Sequence, residues 1–301
     1  MTPNRADVTL LSALGIETKN KTMAFKRIGI IYHPLNKAAH SLARKLAEFL
    51  DSGGIPAWLC SAWESDELKG QIPGTDLILT TGGDGTILRA AQAVVAQSTP
   101  ITGINLGKLG FMAELSADEA IARLPALLAG EGWIDERTML EAELAATDQE
   151  PPRIFHALND VVVARGAMAR LVRIEASIDG QYLATYKADG VIVATATGST
   201  GYSLAAGGPI LYPQSKDFLL IPITPHLSSA YALVLPPKTM VQLCVMAAHE
   251  ATLSIDGHIN LPLSDSSIIT VKHSPNIIRF LRIHPENTFY RSLEEKLKGK
   301  Q

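Results

Sequence analysis

The spacing of apolar residues divides the chain into two regions with different periods. In the first region, a β-branched run over residues 25–32 predicts a strand. Leu42 and Leu46 follow this strand at helical spacing and predict a helix. The same alternation predicts three more strands over residues 55–59, 76–81 and 100–105, and a helix over residues 86–97. Ser116-Ala-Asp-Glu119 is a capping box that predicts a further helix. Strand–helix alternation is typical of a parallel sheet covered by helices.

In the second region the period changes to two. Val172, Ile174 and Ala176 alternate with polar residues and run into Asp179-Gly180, which is a hairpin signal. Six further runs are typical of strands, over residues 155–164, 190–194, 239–247, 251–255, 268–272 and 277–283. The pattern therefore predicts an α/β domain over residues 23–129 and an all-β domain over residues 130–284.

The two ends of the chain differ from these domains. Residues 1–22 hold a short apolar patch without a cleavage site, and we expect them to form a disordered leader. Phe289, Leu293 and Leu297 share one face of a predicted C-terminal helix. We expect residues 285–301 to pack back on the first domain and complete it.

The charge balance excludes several classes of function. The chain has 301 residues, with 27 Lys and Arg against 30 Asp and Glu, which is unlike a polybasic binder of nucleic acid or membrane surfaces. No segment reaches the roughly 18 uninterrupted apolar residues of a membrane span. We therefore expect neither a nucleic-acid nor a membrane partner. The two cysteines favour reduced thiols in the cytoplasm, and the eight histidines show no metal-ligand spacing, so no metal ligand is assigned.

A glycine-rich loop, Thr80-Thr-Gly-Gly-Asp-Gly-Thr86, lies between an apolar strand and a helix. Its glycines let backbone amides approach an anion at the helix N-terminus, which makes Gly82, Gly83, Gly85 and Thr86 a candidate phosphate loop. A carboxylate beside phosphates, here Asp84, is suited to abstracting a proton or holding Mg²⁺. Asp84 as a simple helix cap is the alternative, and loop chemistry alone leaves both open.

Two further segments carry polar groups at strand ends. Asn105-Leu-Gly-Lys-Leu-Gly-Phe111 follows a strand, so it should lie beside the first loop at the carboxyl edge of the sheet. Phe111 is suited to stacking on a base or to core packing. Asn159-Asp160 is suited to gripping ribose hydroxyls, with a solvated strand end as the alternative.

A fourth segment runs from Lys187-Ala-Asp189-Gly190 into a loop over residues 195–209. Those fifteen residues hold four glycines and five hydroxyl side chains besides Tyr202. They offer hydroxyl and amide donors to phosphate or sugar, with Tyr202 as a flat surface; a polar sheet edge is the alternative. Asp256-Gly257 is interpreted as a plain hairpin turn.

Together these segments resemble the bacterial branch of the NAD kinase family. The resemblance rests on GGDGT at 82–86, N-x-G-x-L-G-F at 105–111, the pair at 159–160 and DGVIVATATGSTGYSLAAGGPI at 189–210. It implies a Rossmann-like N-terminal α/β domain, a β-sandwich-like NAD-binding C-terminal domain, and homodimers or homotetramers. It also implies phosphoryl transfer from ATP, or from polyphosphate, to the 2′-hydroxyl of the adenosine ribose of NAD, with Mg²⁺ or another divalent cation.

The resemblance assigns roles residue by residue. Asp84 matches the catalytic carboxylate, which would take the proton of the 2′-hydroxyl. The residues implied to bind NAD are Asp84, Gly85, Phe111, Asn159, Asp160, Arg170, Lys187, Asp189, Thr200, Gly201, Tyr202, Ser203 and His258. Four departures concern contact details: Asp160 for Glu, Gly201 for Ala, His258 for Gln, and Tyr231-Ala232 for Arg-Pro.

Two rival functions remain at the level of sequence. A lipid kinase of the diacylglycerol or sphingosine type shares the GGDGT chemistry, but the chain has no basic amphipathic helix for membrane approach. A non-catalytic NAD(P)-binding sensor could keep every contact and differ only in lacking turnover.

Overall fold

The computed structural model describes residues 25–97, 99–107, 110–146, 151–166, 171–226, 231–246, 251–286 and 288–298. Its first region is built on four parallel strands in the spatial order β4-β3-β1-β2. These strands are β1 Ile28–Tyr32, β2 Ala57–Ser61, β3 Leu77–Gly82 and β4 Ile101–Asn105. Helices α1 Lys37–Ser52, α2 Ser65–Gln71, α3 Asp84–Val94 and α4 Ala117–Leu128 accompany them, with a short strand β5 Leu115–Ser116 beside β4. The predicted parallel α/β region is confirmed.

Local sequence signals explain where these helices begin. The Asn36 side chain accepts hydrogen bonds from the N–H groups of Ala38 and Ala39 at 3.0 and 3.2 Å, and so caps α1. Ser116 and Glu119 form the predicted capping box of α4. Helix α2 was not predicted, because its seven residues bury only Leu68 and give too short a periodic pattern.

Helices cover both faces of the parallel sheet. On one face, Ile30 and Leu79 pack with Leu46 of α1 and Leu124 of α4. On the other face, residues such as Ile78 pack with Ile87 and Ala91 of α3. Because side chains alternate along a strand, the apolar runs of β1 and β3 fill both cores at once.

The second region is a pair of packed sheets. One is a six-stranded antiparallel sheet in the order β13-β12-β11-β8-β15-β16, and the other contains β10-β9-β14-β17 with β6 and β7. Their strands are β6 Trp133–Leu144, β7 Arg153–Ala157, β8 Asp160–Arg165, β9 Val172–Ile178, β10 Gln181–Ala188, β11 Gly190–Ala194, β12 Phe218–Ile223, β13 Leu233–Leu235, β14 Val241–Val245, β15 Ala251–Ile255, β16 Ile259–Leu263 and β17 Ile268–Arg282. Alternate residues such as Val163 and Leu253 from one sheet meet Ile174 and Leu243 from the other. A one-turn helix, α5 Tyr202–Ala205, lies between β11 and β12. The predicted β-sandwich-like region is confirmed.

Strand β17 belongs to both regions. It pairs with β14 at its beginning, with β6 along most of its fifteen residues, and with β4 where Phe280 lies beside Ile101. One continuous sheet therefore runs from the β-sandwich into the parallel sheet. The division of the chain at residues 129 and 130 stays a prediction.

The C-terminal helix α6, Thr288–Lys298, contacts both regions. The ring of Phe289 lies 5.7 Å from that of Tyr212, and the Lys296 ammonium lies 5.9 Å from the ring centre of Phe111. Within the described ranges, every helix is too short or too polar to cross a bilayer. The leader expected over residues 1–22 lies outside the described residues.

Candidate active site

The glycine-rich loop occupies the carboxyl end of β3. The strand ends at Gly82, Gly83 is the N-cap of α3, and Asp84 is its first helical residue. Space is open where a Cβ would lie at Gly83 and Gly85, whereas a Cβ at Gly82 would lie 2.9 Å from the Cβ of Thr86. The loop therefore leaves room for a ligand to approach the backbone at the helix N-terminus, where N–H groups lack helical partners.

Asp84 is held by the neighbouring loop and does not cap its own helix. Its carboxylate accepts hydrogen bonds from the N–H groups of Phe111 at 3.0 Å and Met112 at 3.3 Å. A Cβ at Gly110 would lie 2.6 Å from Asp84 Cγ. The two predicted loops thus meet at adjacent strand ends, and the second one orients a half-buried carboxylate. This geometry disfavours the helix-cap alternative.

A buried charge network supports both the Asp84 loop and the loop over residues 195–209. Arg282 donates to the carbonyl of Met112 at 2.7 Å and to Asp135 at 3.1 Å. Arg137 grips the same Asp135 carboxylate through two nitrogens, at 2.8 and 2.6 Å, and donates to Thr197 Oγ1 at 3.2 Å. Burial opposes ionisation of Asp135, but the hydrogen bonds and charges of the two arginines outweigh it and lower its pKa.

This network was not predicted from the sequence, although a signal was available. Asp135 and Arg137 are two residues apart on β6, so both side chains point to one face of the strand, and both are buried. Opposite charges on a buried face are expected to pair. Their partner Arg282 lies on β17 and could not be found from spacing, because it is 145 residues away from Arg137.

The Asn159-Asp160 pair is positioned by Asp256. The Asp256 carboxylate is buried and accepts from the N–H groups of Leu158 at 2.9 Å, Asn159 at 2.7 Å and Asp160 at 3.1 Å. Gln92 of α3 donates a fourth hydrogen bond at 3.0 Å. The Asp256-Gly257 turn is present, with φ values of 50° and 70°, but its description as a plain turn was incomplete. Asp256 ties the pair to the helix that begins at Asp84.

Two buried carboxyl groups therefore lie close together. Burial, with the charge of Asp256 as a second cause, raises the pKa of Asp160 to about 7. Burial also raises the pKa of Asp256, against four hydrogen bonds that lower it. Near neutral pH the Asp160 carboxyl thus exchanges between protonated and ionised forms.

The loop over residues 195–209 packs directly on the pair. A Cβ at Gly198 would lie 2.8 Å from Asn159 Cα, and one at Gly201 would lie 3.6 Å from Asn159 Nδ2. Tyr202 is 48 % exposed and lines a cavity of about 550 Å³ together with Asn159 and Asp160. An alanine at position 201 would also bring its Cβ to 3.2 Å from the Gly198 carbonyl oxygen, which is a tight contact.

Other predicted residues lie around this cavity or away from it. Asp189 is engaged by Arg165 at 2.7 Å and by the Thr224 hydroxyl at 2.6 Å. Lys187 is exposed on β10, and His258 Nδ1 lies 3.1 Å from the Asp256 carbonyl. These three predicted residues do not line the cavity as described. Thr200 and Ser203 are buried, and Arg170 lies outside the described residues.

Several polar atoms of these loops are buried without a hydrogen-bond partner among the described residues. They are Thr80 Oγ1, Thr86 Oγ1, Asn159 Oδ1 and Ser203 Oγ. Buried polar atoms in native proteins are nearly always paired with protein, water or ligand. Three of the four predicted segments, over residues 80–86, 159–160 and 195–209, thus each hold at least one such atom.

Elsewhere in the described chain, Cys60, Glu64 and Glu67 have ligand atoms close enough for a metal ion. Burial first, and then the charges of the two glutamates, raise the pKa of the Cys60 thiol to about 12. A metal ion bound by this group would therefore have to displace the proton of the Cys60 thiol.

Two domain families match the two regions of the chain. Residues 54–132 match the ATP-NAD kinase N-terminal domain, and residues 158–283 match the ATP-NAD kinase C-terminal domain. An NAD kinase of Dehalococcoides mccartyi is 55% identical over 91% of this chain and 97% of its own length. An NAD kinase of Chloroflexus aurantiacus is 38% identical over 91% of this chain and 99% of its own length.

Solved structures show the same fold with ligands bound. Yeast NADH kinase complexed with NADH superposes with a TM-score of 0.79 at 26% identity, over 91% of this chain and 87% of that one. An NAD kinase from Archaeoglobus fulgidus in complex with ATP gives a TM-score of 0.73 at 26% identity, over 91% and 99% of the two chains. The chain belongs to the NAD kinase family.

Proposed function

We propose that the chain transfers the γ-phosphoryl group of ATP to the 2′-hydroxyl of the adenosine ribose of NAD, which yields NADP and ADP. The names of its relatives, and the NADH and ATP bound in two related structures, support these substrates. The observation that carries the proposal is the Asp84 carboxylate, oriented by two backbone N–H groups beside an open glycine loop.

In this reaction Asp84 is the general base. It takes the proton of the 2′-hydroxyl while the oxygen forms a bond to the γ-phosphorus. The bond from that phosphorus to the bridging β–γ oxygen breaks, and ADP leaves with the electron pair. N–H groups of the glycine loop stabilise negative charge on the phosphoryl group, as fixed dipoles do without reorganising.

The β-sandwich region supplies the NAD site. Asn159 and Asp160 hold ribose hydroxyls, and the half-exposed ring of Tyr202 offers a stacking surface. Gly85, Phe111, Arg170, Lys187, Asp189, Thr200, Gly201, Ser203 and His258 remain proposed contacts. Asp189 would act through its pairing with Arg165, which lines the same cavity.

A divalent cation fits the donor set as a companion of ATP. No group of three carboxylates or histidines surrounds Asp84 within the described residues, and Mg²⁺ is commonly held by one or two carboxylates together with substrate phosphates and water. The phosphates of ATP and water would hold the ion, because Asp84 is the proposed base. The ion, when bound with ATP, neutralises phosphate charge; orientation of the carboxylate is the work of Phe111 and Met112.

Two further proposals concern the protein as a whole. We expect homodimers or homotetramers and a cytoplasmic location, the latter because neither cysteine, Cys60 or Cys244, is in a disulfide. Polyphosphate as an alternative donor is a question for the same assay.

The test is turnover by purified protein with NAD, ATP and Mg²⁺, with the product detected by an NADP-specific dehydrogenase. Asp84→Asn should lower kcat by about 10³-fold, because general-base catalysis contributes roughly 10²–10⁴-fold, while the Kd for NAD stays within a few-fold. Asp118→Asn, at the exposed first turn of α4, is the matched control and should behave like wild type.

Other results would overturn the proposal. Near-normal turnover of Asp84→Asn would remove its role as base. Wild-type protein that binds NAD but forms no NADP would indicate a sensor, and turnover on a diacylglycerol instead of NAD would indicate a lipid kinase.

A further inference from the structure

Helix α6 lies over the loop that orients Asp84. The Lys296 ammonium is 5.9 Å from the ring centre of Phe111, whose N–H group donates to Asp84. Two aromatic contacts hold the start of the helix, since Tyr212 packs edge-on against Phe289 and stacks on Tyr290. Helix α6 thus carries a cation to the centre where phosphoryl transfer is proposed.

A small cavity separates this cation from the buried charge network. Its volume is about 70 Å³, and Phe111, Glu114, Arg137, Arg282 and Lys296 are among its lining residues. The two arginines are already committed to Asp135 and to backbone or hydroxyl oxygens. Glu114 accepts from Arg282 and from the N–H groups of residues 283 and 284. Within the part of the chain that the structure describes, the Lys296 ammonium has no hydrogen-bond or ion-pair partner, so its three donors are left for a ligand.

The groups around Lys296 have opposing effects on its charged form. Burial and the charges of Arg282 and Arg137 disfavour its charged form, whereas Asp84 and Glu114 favour it, and the pKa of the ammonium is lowered. Among the described residues, no carboxylate lies within 4.0 Å of Lys296 Nζ. A half-buried ammonium without a close counter-ion gains most from an anion that arrives with the substrate.

We propose that Lys296 is a catalytic residue whose ammonium contacts the transferring phosphoryl group of ATP, opposite the base Asp84. The proposal rests on the function proposed above and adds a charge contact to it. An ammonium is a compact point charge suited to phosphate, and negative charge on the equatorial oxygens of the phosphoryl group is what such a cation stabilises.

The kinetic test compares three variants of the full chain. Lys296→Met keeps the length of the side chain but removes the charge, and it should lower kcat by about 10²-fold, as loss of one transition-state contact does, with the KM for NAD within about 3-fold. Lys296→Arg should keep most of the rate. Arg291→Met removes an exposed cation from the same helix and should match wild type.

A pH profile separates a charge contact from a structural role. Because the pKa of Lys296 is lowered, its deprotonation should contribute to the alkaline fall of kcat. In Lys296→Arg that fall should move to higher pH, since guanidinium stays charged. The proposal would be overturned if Lys296→Arg and Lys296→Met lowered kcat equally and kcat fell at the same alkaline pH in both. It would also be overturned if kcat of Lys296→Met stayed within 3-fold of wild type.

A direct measurement of ATP binding tests the Lys296 contact independently of the proposed reaction. Titration calorimetry with ATP and Mg²⁺ should show about tenfold weaker binding to Lys296→Met than to Arg291→Met, whether or not NADP is formed. Equal ATP affinities would count against the contact even in an active enzyme. Weaker ATP binding by Lys296→Met, in a protein that never forms NADP, would support the contact and reject the proposed reaction.

Discussion

Each of the two regions of the molecule holds a carboxylate for which we propose a contact with the substrates, and the two regions hold it in opposite ways. In the α/β region, Asp84 is half-buried at a helix N-terminus and is oriented by N–H groups of a glycine-containing loop. In the β-sandwich, Asp160 is buried at the start of a strand, next to the buried carboxyl of Asp256. The carboxylate of Asp84 thus lies at the positive end of the α3 dipole, whereas the carboxylate of Asp160 lies beside the second carboxyl group of Asp256.

These two environments show how one enzyme can use two carboxylates for different tasks. A base must reach the substrate in a fixed orientation, and two N–H groups of the neighbouring loop orient Asp84 beside the open glycine loop. A group that holds sugar hydroxyls must be fixed in space, and burial fixes the position of Asp160. The same burial raises the pKa of Asp160 to about 7. Environment, and not residue type, separates the roles.

The largest expected effect comes from disturbing the Asp84 loop. In Gly110→Ala the new Cβ would lie 2.6 Å from Asp84 Cγ, so the carboxylate must move. A displacement of about 1 Å costs roughly 10²-fold in rate, and we expect kcat to fall by about that factor while the KM for NAD changes little. Steady-state kinetics with the NADP-coupled assay measures both.

Gly70→Ala is the control for that substitution. Gly70 lies within α2 in the same region, and a Cβ there would have no neighbouring atom within 4 Å outside its own helix turn. It should keep wild-type kinetics. If Gly110→Ala did so as well, tight packing around Asp84 would not be needed for the reaction.

A smaller effect is expected from replacing Asp256, which positions the second carboxylate, Asp160. In Asp256→Asn, one oxygen that accepts two N–H groups becomes an NH₂ group, so two buried donors lose their acceptor. Unfolding free energy should fall by about 2–4 kcal/mol, and the KM for NAD should rise about tenfold because Asn159 and Asp160 shift. Denaturant unfolding and kinetics check the two parts.

The other Asp-Gly hairpin provides a matched control. Asp179 has the same positive φ of 50° but is exposed, and its carboxylate accepts a hydrogen bond from the Met240 N–H group at 2.8 Å. Asp179→Asn should lower stability by less than about 1 kcal/mol and leave kinetics unchanged. Equal effects of the two substitutions would mean that Asp256 acts only as a turn residue.

The smallest effect is a pH dependence of NAD binding. With the pKa of Asp160 near 7, the ionised form that accepts ribose hydroxyls rises from about a tenth to about nine tenths of molecules between pH 6 and pH 8. The affinity for NAD should therefore increase up to about tenfold over this range in wild type, and should be nearly flat in Asp160→Asn. Titrations at several pH values measure it.

The free energy of unfolding should also depend on the ionisation of Asp160, but it should fall as pH rises, whereas the affinity for NAD should increase. Because the pKa of Asp160 is raised on folding, its contribution favours the folded state at low pH and is lost as pH rises from about 4 towards 7. The difference in unfolding free energy between wild type and Asp160→Asn should change across that window. A constant difference would contradict the raised pKa.

Much of this architecture could be predicted from local pattern, because the signals are local. The capping box at Ser116, the alternation over Val172–Ile178 and the glycine loop around Asp84 each depend on neighbours in sequence. Contacts across the fold could not be predicted in this way. Asp256 looks like any Asp-Gly turn until the strand ends at Leu158 and Asn159 are placed beside it.

The same limit applies to the charged residues around Asp84. Lys296 lies on a helix whose sequence shows only an amphipathic pattern, and its neighbour Phe111 is 185 residues away. Helix α6 was expected to pack on the first domain alone, and its contact with Tyr212 comes from the β-sandwich. Partners so far apart in sequence are brought together by topology, for which spacing carries no information.

Strand β17 has a mechanical consequence for catalysis. Because its backbone is hydrogen-bonded to strands of both regions, rotation of one half against the other would break those hydrogen bonds. A clamshell motion of the two halves around the dinucleotide would have to break the pairing of Phe280 with Ile101. Movements of the loops and of the terminal helix would leave that pairing intact.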